Sequence, residues 1–203
     1  MRNYQNNLLK KVWLIEIKEA KKHLSQEFNV MVDTLNDFVK FLNLKKDSVI
    51  LDIGTGRGLM AITLALNNYK VITGEPEDDK SKYAKRDWQN EAKKVGVDHL
   101  ITFKPFNAEN LPFDDKSFDA VFIYGSFHHI ENKNSTIKEC LRILKKQGFL
   151  IIIEPSEKII KNVRKTFADH PDAVDPRDFI GDLDLNVEVI RKDFADVYVF
   201  KLK

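Results

Sequence analysis

Three glycines within five residues, Gly54, Gly56 and Gly58, stand out in a chain that holds only 8 glycines among 203 residues. They follow Ser48-Val49-Ile50-Leu51-Asp52-Ile53, a short β-branched apolar run, and precede Leu59 to Leu66, an apolar run of helical length. Glycine suits such a turn because a Cβ would keep a ligand away from the backbone amides and the helix N-terminus. The chemistry on offer is small-ligand binding by backbone N–H groups, with Asp52 as an acidic group two residues ahead of Gly54. Spacing argues against two ligand classes. The dinucleotide pattern G-x-G-x-x-G needs glycine where Leu59 stands, and the phosphate loop G-x-x-x-x-G-K-S/T is absent.

The elements that must position this loop follow from apolar periodicity. Leu9, Trp13, Ile17, Ala20 and Leu24 predict a helix over Tyr4 to Leu24. A second is predicted from about Asn29 to Leu42, with Val30, Val32, Leu35, Phe38, Val39 and Leu42 inward. After the strand, glycine turn and helix around Asp52, Lys70 to Gly74 predicts a second strand, Lys80 to Val95 an amphipathic helix, and Leu100 to Phe103 a third strand. Phe118 to Tyr124 predicts a fourth strand. A helix from about Ser135 to Lys146 follows, opened by the capping-box spacing of Thr136 and Glu139. Phe149 to Ile153 is the most apolar run and predicts a central strand covered on both faces. Strands alternating with helices imply a parallel sheet with right-handed crossovers. Val187 to Ile190 and Val197 to Leu202 lie too close together for a crossover helix, so they are expected to pair as an antiparallel hairpin. The predicted fold is α/β, a three-layer, doubly wound, mostly parallel seven-stranded sheet with an antiparallel C-terminal hairpin strand and N-terminal helices.

Asp52, Gly54, Gly56 and Gly58 match D-x-G-x-G-x-G, and the segment resembles the first motif of class I S-adenosylmethionine-dependent methyltransferases. The resemblance runs from about Val49 to Glu154 and is strongest to the broad group that acts on small molecules. It implies S-adenosyl-L-methionine as cofactor and S-adenosyl-L-homocysteine as product. An acid near the methionine end suits the cationic sulfonium and amino groups, whereas it would repel a pyrophosphate. At the end of the second strand the family places an acidic residue for the two ribose hydroxyls. Glu75 matches that position, where an ionised carboxylate can accept both. Phe106-Asn107-Ala108-Glu109-Asn110-Leu111-Pro112-Phe113 is similar to the family's adenine loop, G-D-A-E-D-L-P-F. Asn107 replaces the usual Asp, so the acceptor for the adenine amino group becomes a neutral amide oxygen, and the Ala108 amide would meet a ring nitrogen. The resemblance also assigns Thr55, Pro76, Glu109 and Tyr124 to the cofactor site.

Gly125-Ser126-Phe127-His128-His129 follows the fourth strand, where the family's chain passes between cofactor and acceptor. The D/N-P-P-Y/F signature of amino-group nucleic-acid methyltransferases is missing there. Methyl transfer is an in-line displacement at a sulfonium that is already electrophilic, so the protein mainly supplies alignment and water exclusion. A base is needed only when the nucleophile arrives protonated, and His128 or His129 is the candidate. The other reading of the pair is structural, one ring packed under the sheet edge and the other capping the next helix. Phe127, Phe167 and Phe179 are candidates for an apolar acceptor pocket or for core. His23, His99 and His170 have no partner at metal-ligand spacing and Cys140 sits within an amphipathic pattern, so no metal is implied.

The totals are consistent with this reading. A net charge of +2, with acids interleaved among the lysines, gives no electrostatic argument for nucleic acid. With 43% hydrophobic and 32% charged residues the chain is expected to be globular. No apolar run approaches the ~18 residues of a membrane span. The first residues lack a signal-peptide pattern, and a single cysteine cannot form an internal disulfide, so a cytoplasmic location is expected. One domain over 1–203 is expected, with a helical cap at 1–44, a cofactor-binding core at 45–155 and a helix with the terminal hairpin at 156–203. The rival functions are a non-catalytic S-adenosylmethionine-binding or scaffold protein, and an aminopropyltransferase or nicotinamide oxidoreductase on the same fold. The methyl acceptor and the oligomeric state are left open.

Overall fold

The computed structural model describes residues 15–79 and 87–203. Its strands are β1 (Val49–Ile53), β2 (Lys70–Gly74), β3 (Ile101–Phe103), β4 (Phe118–Tyr124), β5 (Leu144–Pro155), β6 (Leu185–Arg191) and β7 (Ala195–Leu202). The helices are α1 (Ile17–Ala20), α2 (Gln26–Phe41), α3 (Leu59–Leu66), α4 (Trp88–Lys94), α5 (Lys133–Ile143) and α6 (Glu157–Val163). All seven strands join one sheet in the order β3-β2-β1-β4-β5-β7-β6. Strands β1 to β5 pair in parallel, and β7 runs antiparallel to both β5 and β6. A single reversed strand therefore closes the sheet, as the short link between the last two strands requires. The chain winds outward from β1 to β3 and then returns to lay β4 on the other side of β1. That reversal is a topological switch point, and ligands of open α/β sheets bind in the crevice it leaves at the carboxyl ends of the strands.

Alternate residues of the central strands point to opposite faces. Ile50, Phe122, Ile151 and Val199 join a core shared with α2, α3 and α4, while Leu51, Val121, Ile152 and Phe200 join a second core with α5. Cys140, the chain's one cysteine, lies buried in the second core, where desolvation pushes its thiol pKa well above the usual range. No described helix is long and apolar enough to cross a membrane.

Three sequence expectations change, and two more helices lie partly outside the described residues. The second helix begins earlier than Asn29, at Gln26, because the Ser25 hydroxyl caps it by accepting from the Phe28 N–H at 3.3 Å. Its buried stripe is Phe28, Val32, Leu35 and Val39, at steps of three and four, which leaves Val30 on the outer side with 71% exposure. The capping box of Thr136 and Glu139 does not form. Helix α5 starts at Lys133 under Asn132, whose side chain accepts from the Ser135 N–H at 3.0 Å, and Glu139 instead binds Arg142 and the Leu111 N–H. Finally, most of the helix expected over Tyr4 to Leu24 lies outside the described residues. Its described part is the short α1 followed by a turn, with Ala20 and Leu24 buried. Of the helix expected over Lys80 to Val95, residues 80–86 lie outside the described residues and α4 is the rest.

Candidate active site

The glycine loop leaves β1 by extending its ladder one step, the Gly54 N–H donating to the Gly74 carbonyl at 2.8 Å. Gly54 has φ +87°, and a Cβ there would lie 2.5 Å from the Ser126 Oγ. That hydroxyl in turn donates to the Ile53 carbonyl at 3.1 Å, so the loops after β1 and β4 are interlocked. Gly58 answers a different need. It caps α3 with φ +74°, and a Cβ would meet the Cβ of Trp88 at 2.8 Å. The third glycine of the motif thus admits α4 rather than a ligand, and it does not border the cavity described next.

Asp52 also stands behind the loop. Its Oδ2 accepts from the Thr73 hydroxyl at 2.8 Å, and Thr73 lies 2.9 Å from the Thr55 hydroxyl, a buried chain beneath the glycines. Desolvation raises the Asp52 pKa to about 7, helped by the charge of Glu75 and opposed by the Thr73 bond. Its second oxygen is buried and has no hydrogen-bond partner among the described residues.

A cavity of about 830 Å³ opens at the carboxyl ends of β1, β2, β4 and β5, within the size range of small-molecule sites. Of the residues named from sequence, Gly54, Thr55, Gly56, Glu75, Pro76, Asn107, Ala108, Glu109, Tyr124, His128 and His129 line it; Asp52 and Gly58 do not. Glu75 Oε2 accepts from the Gly56 N–H at 3.0 Å, which ties the acid at the end of β2 to the glycine loop. Asn107 Oδ1 accepts from the Glu109 N–H at 2.9 Å, so one of its lone pairs serves its own turn. Glu109 reaches across to accept from the Asn132 N–H at 2.9 Å, fastening this turn to the start of α5. Tyr124 is half-buried, and desolvation pushes its phenol pKa up to about 12.

His128, which lines the cavity, belongs to a pair that sequence reasoning found only in part. His128 Nδ1 lies 2.7 Å from Glu154 Oε2, and both side chains are almost wholly buried. The other Glu154 oxygen accepts from the Phe127 N–H at 3.1 Å. With the carboxylate as acceptor, Nδ1 is the donor, and Nε2 is the ring nitrogen left without a partner among the described residues. The signal for Glu154 was an acid ending an otherwise apolar strand, a charge that burial makes costly without a partner. His129 keeps some exposure, yet desolvation and then the neighbouring rings of His128 and His170 push its pKa down to about 4. Neither ring caps α5, a role taken by Asn132. His170, isolated in sequence, packs its ring centroid 5.1 Å from His128 and 5.0 Å from His129.

None of the three phenylalanines weighed for an acceptor pocket lines the cavity. Phe127 is fully buried against Phe179 at 5.9 Å, and Phe167 is exposed. The apolar wall comes instead from Met31 of α2, Ile159, Ile160 and Val163 of α6, and Phe194 of the terminal hairpin. These lie in elements whose periodicity shows an apolar face but not what it covers.

Comparison with known proteins agrees with the fold and the loop. Residues 51–152 match the family described as a methyltransferase domain, and the chain belongs to that family. The 27-O-demethylrifamycin SV methyltransferase of Amycolatopsis mediterranei (strain S699) is 32% identical over 121 residues, 57% of this chain and 43% of that protein. The ubiquinone/menaquinone biosynthesis C-methyltransferase UbiE of Rickettsia prowazekii (strain Madrid E) is 29% identical over 178 residues, 78% of this chain and 66% of that protein. The chain therefore spans between two fifths and two thirds of the length of these relatives. A solved structure of a SAM dependent methyltransferase from Aquifex aeolicus shares the fold with TM-score 0.62 at 17% identity, covering 93% of this chain and 100% of that one.

Proposed function

We propose that the chain is an S-adenosylmethionine-dependent methyltransferase acting on a small-molecule acceptor and releasing S-adenosylhomocysteine. The observation that carries this reading is the convergence of the glycine loop, Glu75, the Asn107 turn, His128 and His129 on a single cavity. Both relatives above are named for methylation of small molecules, which supports the acceptor class. The residues present fit the cofactor. Glu75 offers two carboxylate oxygens at the cavity wall, the Gly54 and Gly56 backbone borders it without side chains, and Ala108 and Asn107 line the same side.

When bound, the cofactor supplies an electrophilic methyl group on a sulfonium. Glu75 would accept hydrogen bonds from the two ribose hydroxyls, and Asn107 with Ala108 would contact the adenine. Thr55, Pro76, Glu109 and Tyr124 would shape the walls, and Asp52 would act through Thr73 and Thr55 to hold the loop. The apolar face of Met31, Ile160, Val163 and Phe194 would exclude water from the acceptor. His128, held at Nδ1 by Glu154, is the first candidate to take a proton from a hydroxyl or amine acceptor, a step that requires its buried Nε2 to become accessible. His129, kept neutral by its surroundings, is the second candidate base. We place this activity in a single domain over 1–203 and in the cytoplasm.

Calorimetric titration of the full chain should show binding of both S-adenosylmethionine and S-adenosylhomocysteine, with no comparable binding of a nicotinamide dinucleotide. The Glu75→Ala variant should bind about 10–100-fold more weakly, the loss of ~1.5–3 kcal/mol expected for charge-assisted hydrogen bonds. Absence of binding to either ligand at millimolar concentration would overturn the assignment, and unchanged affinity in the variant would remove Glu75 from the site.

A further inference from the structure

Three imidazoles from two distant stretches of chain meet at one wall of the cavity. Ring centroids of His128 and His129 are 4.1 Å apart, and His170 lies 5.1 Å and 5.0 Å from them. Each contributes a ring nitrogen to a set whose members all lie within 4.8 Å of one another, and all three residues line the cavity. Two of the rings are already oriented by a contact at Nδ1. His128 Nδ1 is held by Glu154 Oε2 at 2.7 Å, and Glu154 is itself fixed by the Phe127 N–H. His170 Nδ1 lies 3.0 Å from the Pro171 carbonyl, and the backbone around it is pinned by Arg164 Nε donating to the His170 carbonyl at 2.6 Å.

A carboxylate or carbonyl behind an imidazole, fixing its tautomer and aiming the other nitrogen, is the arrangement that metal-ligating histidines use. The buried group this leaves is telling. His128 Nε2 is shielded from water and has no hydrogen-bond partner, in a side chain only 1% exposed. An unpaired buried polar atom is costly, and a lone pair with two further imidazoles nearby has a common solution. We propose that His128, His129 and His170 form a three-histidine site for a divalent cation of the zinc class, with one coordination position open to the cavity.

The donor set selects the cation. Imidazole suits zinc, copper, iron and nickel, whereas magnesium and calcium prefer oxygen. Three protein ligands and an open position match a reactive rather than a closed structural site. Nitrogens around a tetrahedral ion with bonds near ~2.0–2.1 Å are about 3.3 Å apart, so the rings must draw together by at most about 1.5 Å. His129 and His170 are the more exposed of the three. Charges of both signs stand nearby: Glu154 lies behind His128 and Asp79 acts on His129, against the Lys133 ammonium and the Arg164 guanidinium on the His170 carbonyl. With the ion bound, the His128 and His129 lone pairs serve as ligands and neither ring acts as base; an oxygen or sulfur of the acceptor at the open position would instead lose its proton more readily. That role rests on the methyl-transfer reading; the site itself does not.

The test uses the full chain without added tag histidines, stripped by chelator and titrated with Zn²⁺, and with Co²⁺ as a visible-absorption reporter. One equivalent should bind saturably, with the Co²⁺ spectrum of a four- or five-coordinate nitrogen-rich site. His170→Ala should weaken Zn²⁺ binding at least tenfold and abolish that spectrum. Glu154→Gln should weaken it by about 10–100-fold, the usual effect of losing an orienting partner. His23→Ala and His99→Ala should leave it unchanged. No saturable uptake, unchanged uptake in His170→Ala, or loss in His23→Ala would each overturn the proposal. No S-adenosylmethionine is present in these titrations, so failure of the metal site and failure of the cofactor site give separate results.

Discussion

Asp52 illustrates how a motif residue can stand behind its loop and off the cavity wall. Its carboxyl is wholly buried, shares a hydroxyl chain with Thr73 and Thr55, and titrates near 7 because desolvation penalises the charged form. The sign of the stability effect follows. An unfolded Asp titrates near ~3.9, so between about pH 4 and 7 the native state holds a proton that the unfolded chain has lost. Stability therefore falls as pH rises through that window, by up to ~1.4 kcal/mol per pH unit for this group alone. Below the window the contribution is fully favourable, and above it the slope vanishes. Chemical denaturation across pH 4–8 should show this slope in the wild-type chain relative to Asp52→Asn, which keeps the shape and cannot ionise. Equal pH dependence in the two proteins would mean that Asp52 stays ionised in the fold. A residue-by-residue reading of the sequence located Asp52 correctly beside the glycine loop. It could not show that Thr73 and Thr55 screen it from the cavity, because that depends on the register of β1 against β2.

At the scale of elements, the glycine motif divides into two jobs. Gly54 keeps the loops after β1 and β4 in contact, while Gly58 lets α4 approach the start of α3. Gly58→Ala should be the more damaging of two matched substitutions. Gly96 has a similar φ of +70° but open space around the position of a Cβ, so Gly96→Ala carries only the left-handed penalty of about 1–2 kcal/mol. Gly58→Ala adds a clash with the Trp88 Cβ, and its urea midpoint should fall further. Equal midpoints would show that α4 shifts freely. The strands were legible because their cause is local: β4 was read to the residue, and the hairpin followed from a link too short to cross over. The start of α5 was less legible because Thr136–Glu139 and Asn132–Ser135 both carry capping chemistry, and tertiary contacts to Arg142 and Leu111 claim Glu139. The histidine cluster was illegible for the same reason. His170 reaches its partners only after α6 and the following segment have folded back over β5.

Across the whole molecule, cohesion is concentrated in the middle of the sheet. Ile50, Leu51, Ala120, Val121, Phe122, Ile123 and the Leu150–Ile152 run are completely buried, whereas 164–184 contains one short 3₁₀ turn and mostly half-buried or exposed residues. Native-state hydrogen exchange should therefore find the amides of β1, β4 and β5 last to exchange and those of 164–184 among the first. Adding S-adenosylmethionine should slow exchange in 54–58 and 107–109 while leaving the centre of α5 unchanged. Uniform slowing would indicate global stabilisation in place of a local site, and no change in 54–58 would contradict the loop's assignment. The family match spans 51–152, whereas α2, α6 and the hairpin that supply the apolar lining of the cavity lie outside it.

The burial of Cys140 has a practical outcome for kinetics. The thiol is the only one in the chain, sits in the packed layer between α5 and the sheet, and is held protonated by that environment. An alkylating reagent can reach it only when this layer opens, since the reactive thiolate is both sealed off and disfavoured in the closed state. Labelling time courses on the unmodified protein then report the opening of one defined region, with no engineered cysteine and no background from a second. The chain thus carries a natural clock for the separation of its second core from the sheet, readable by mass as a single added group per molecule.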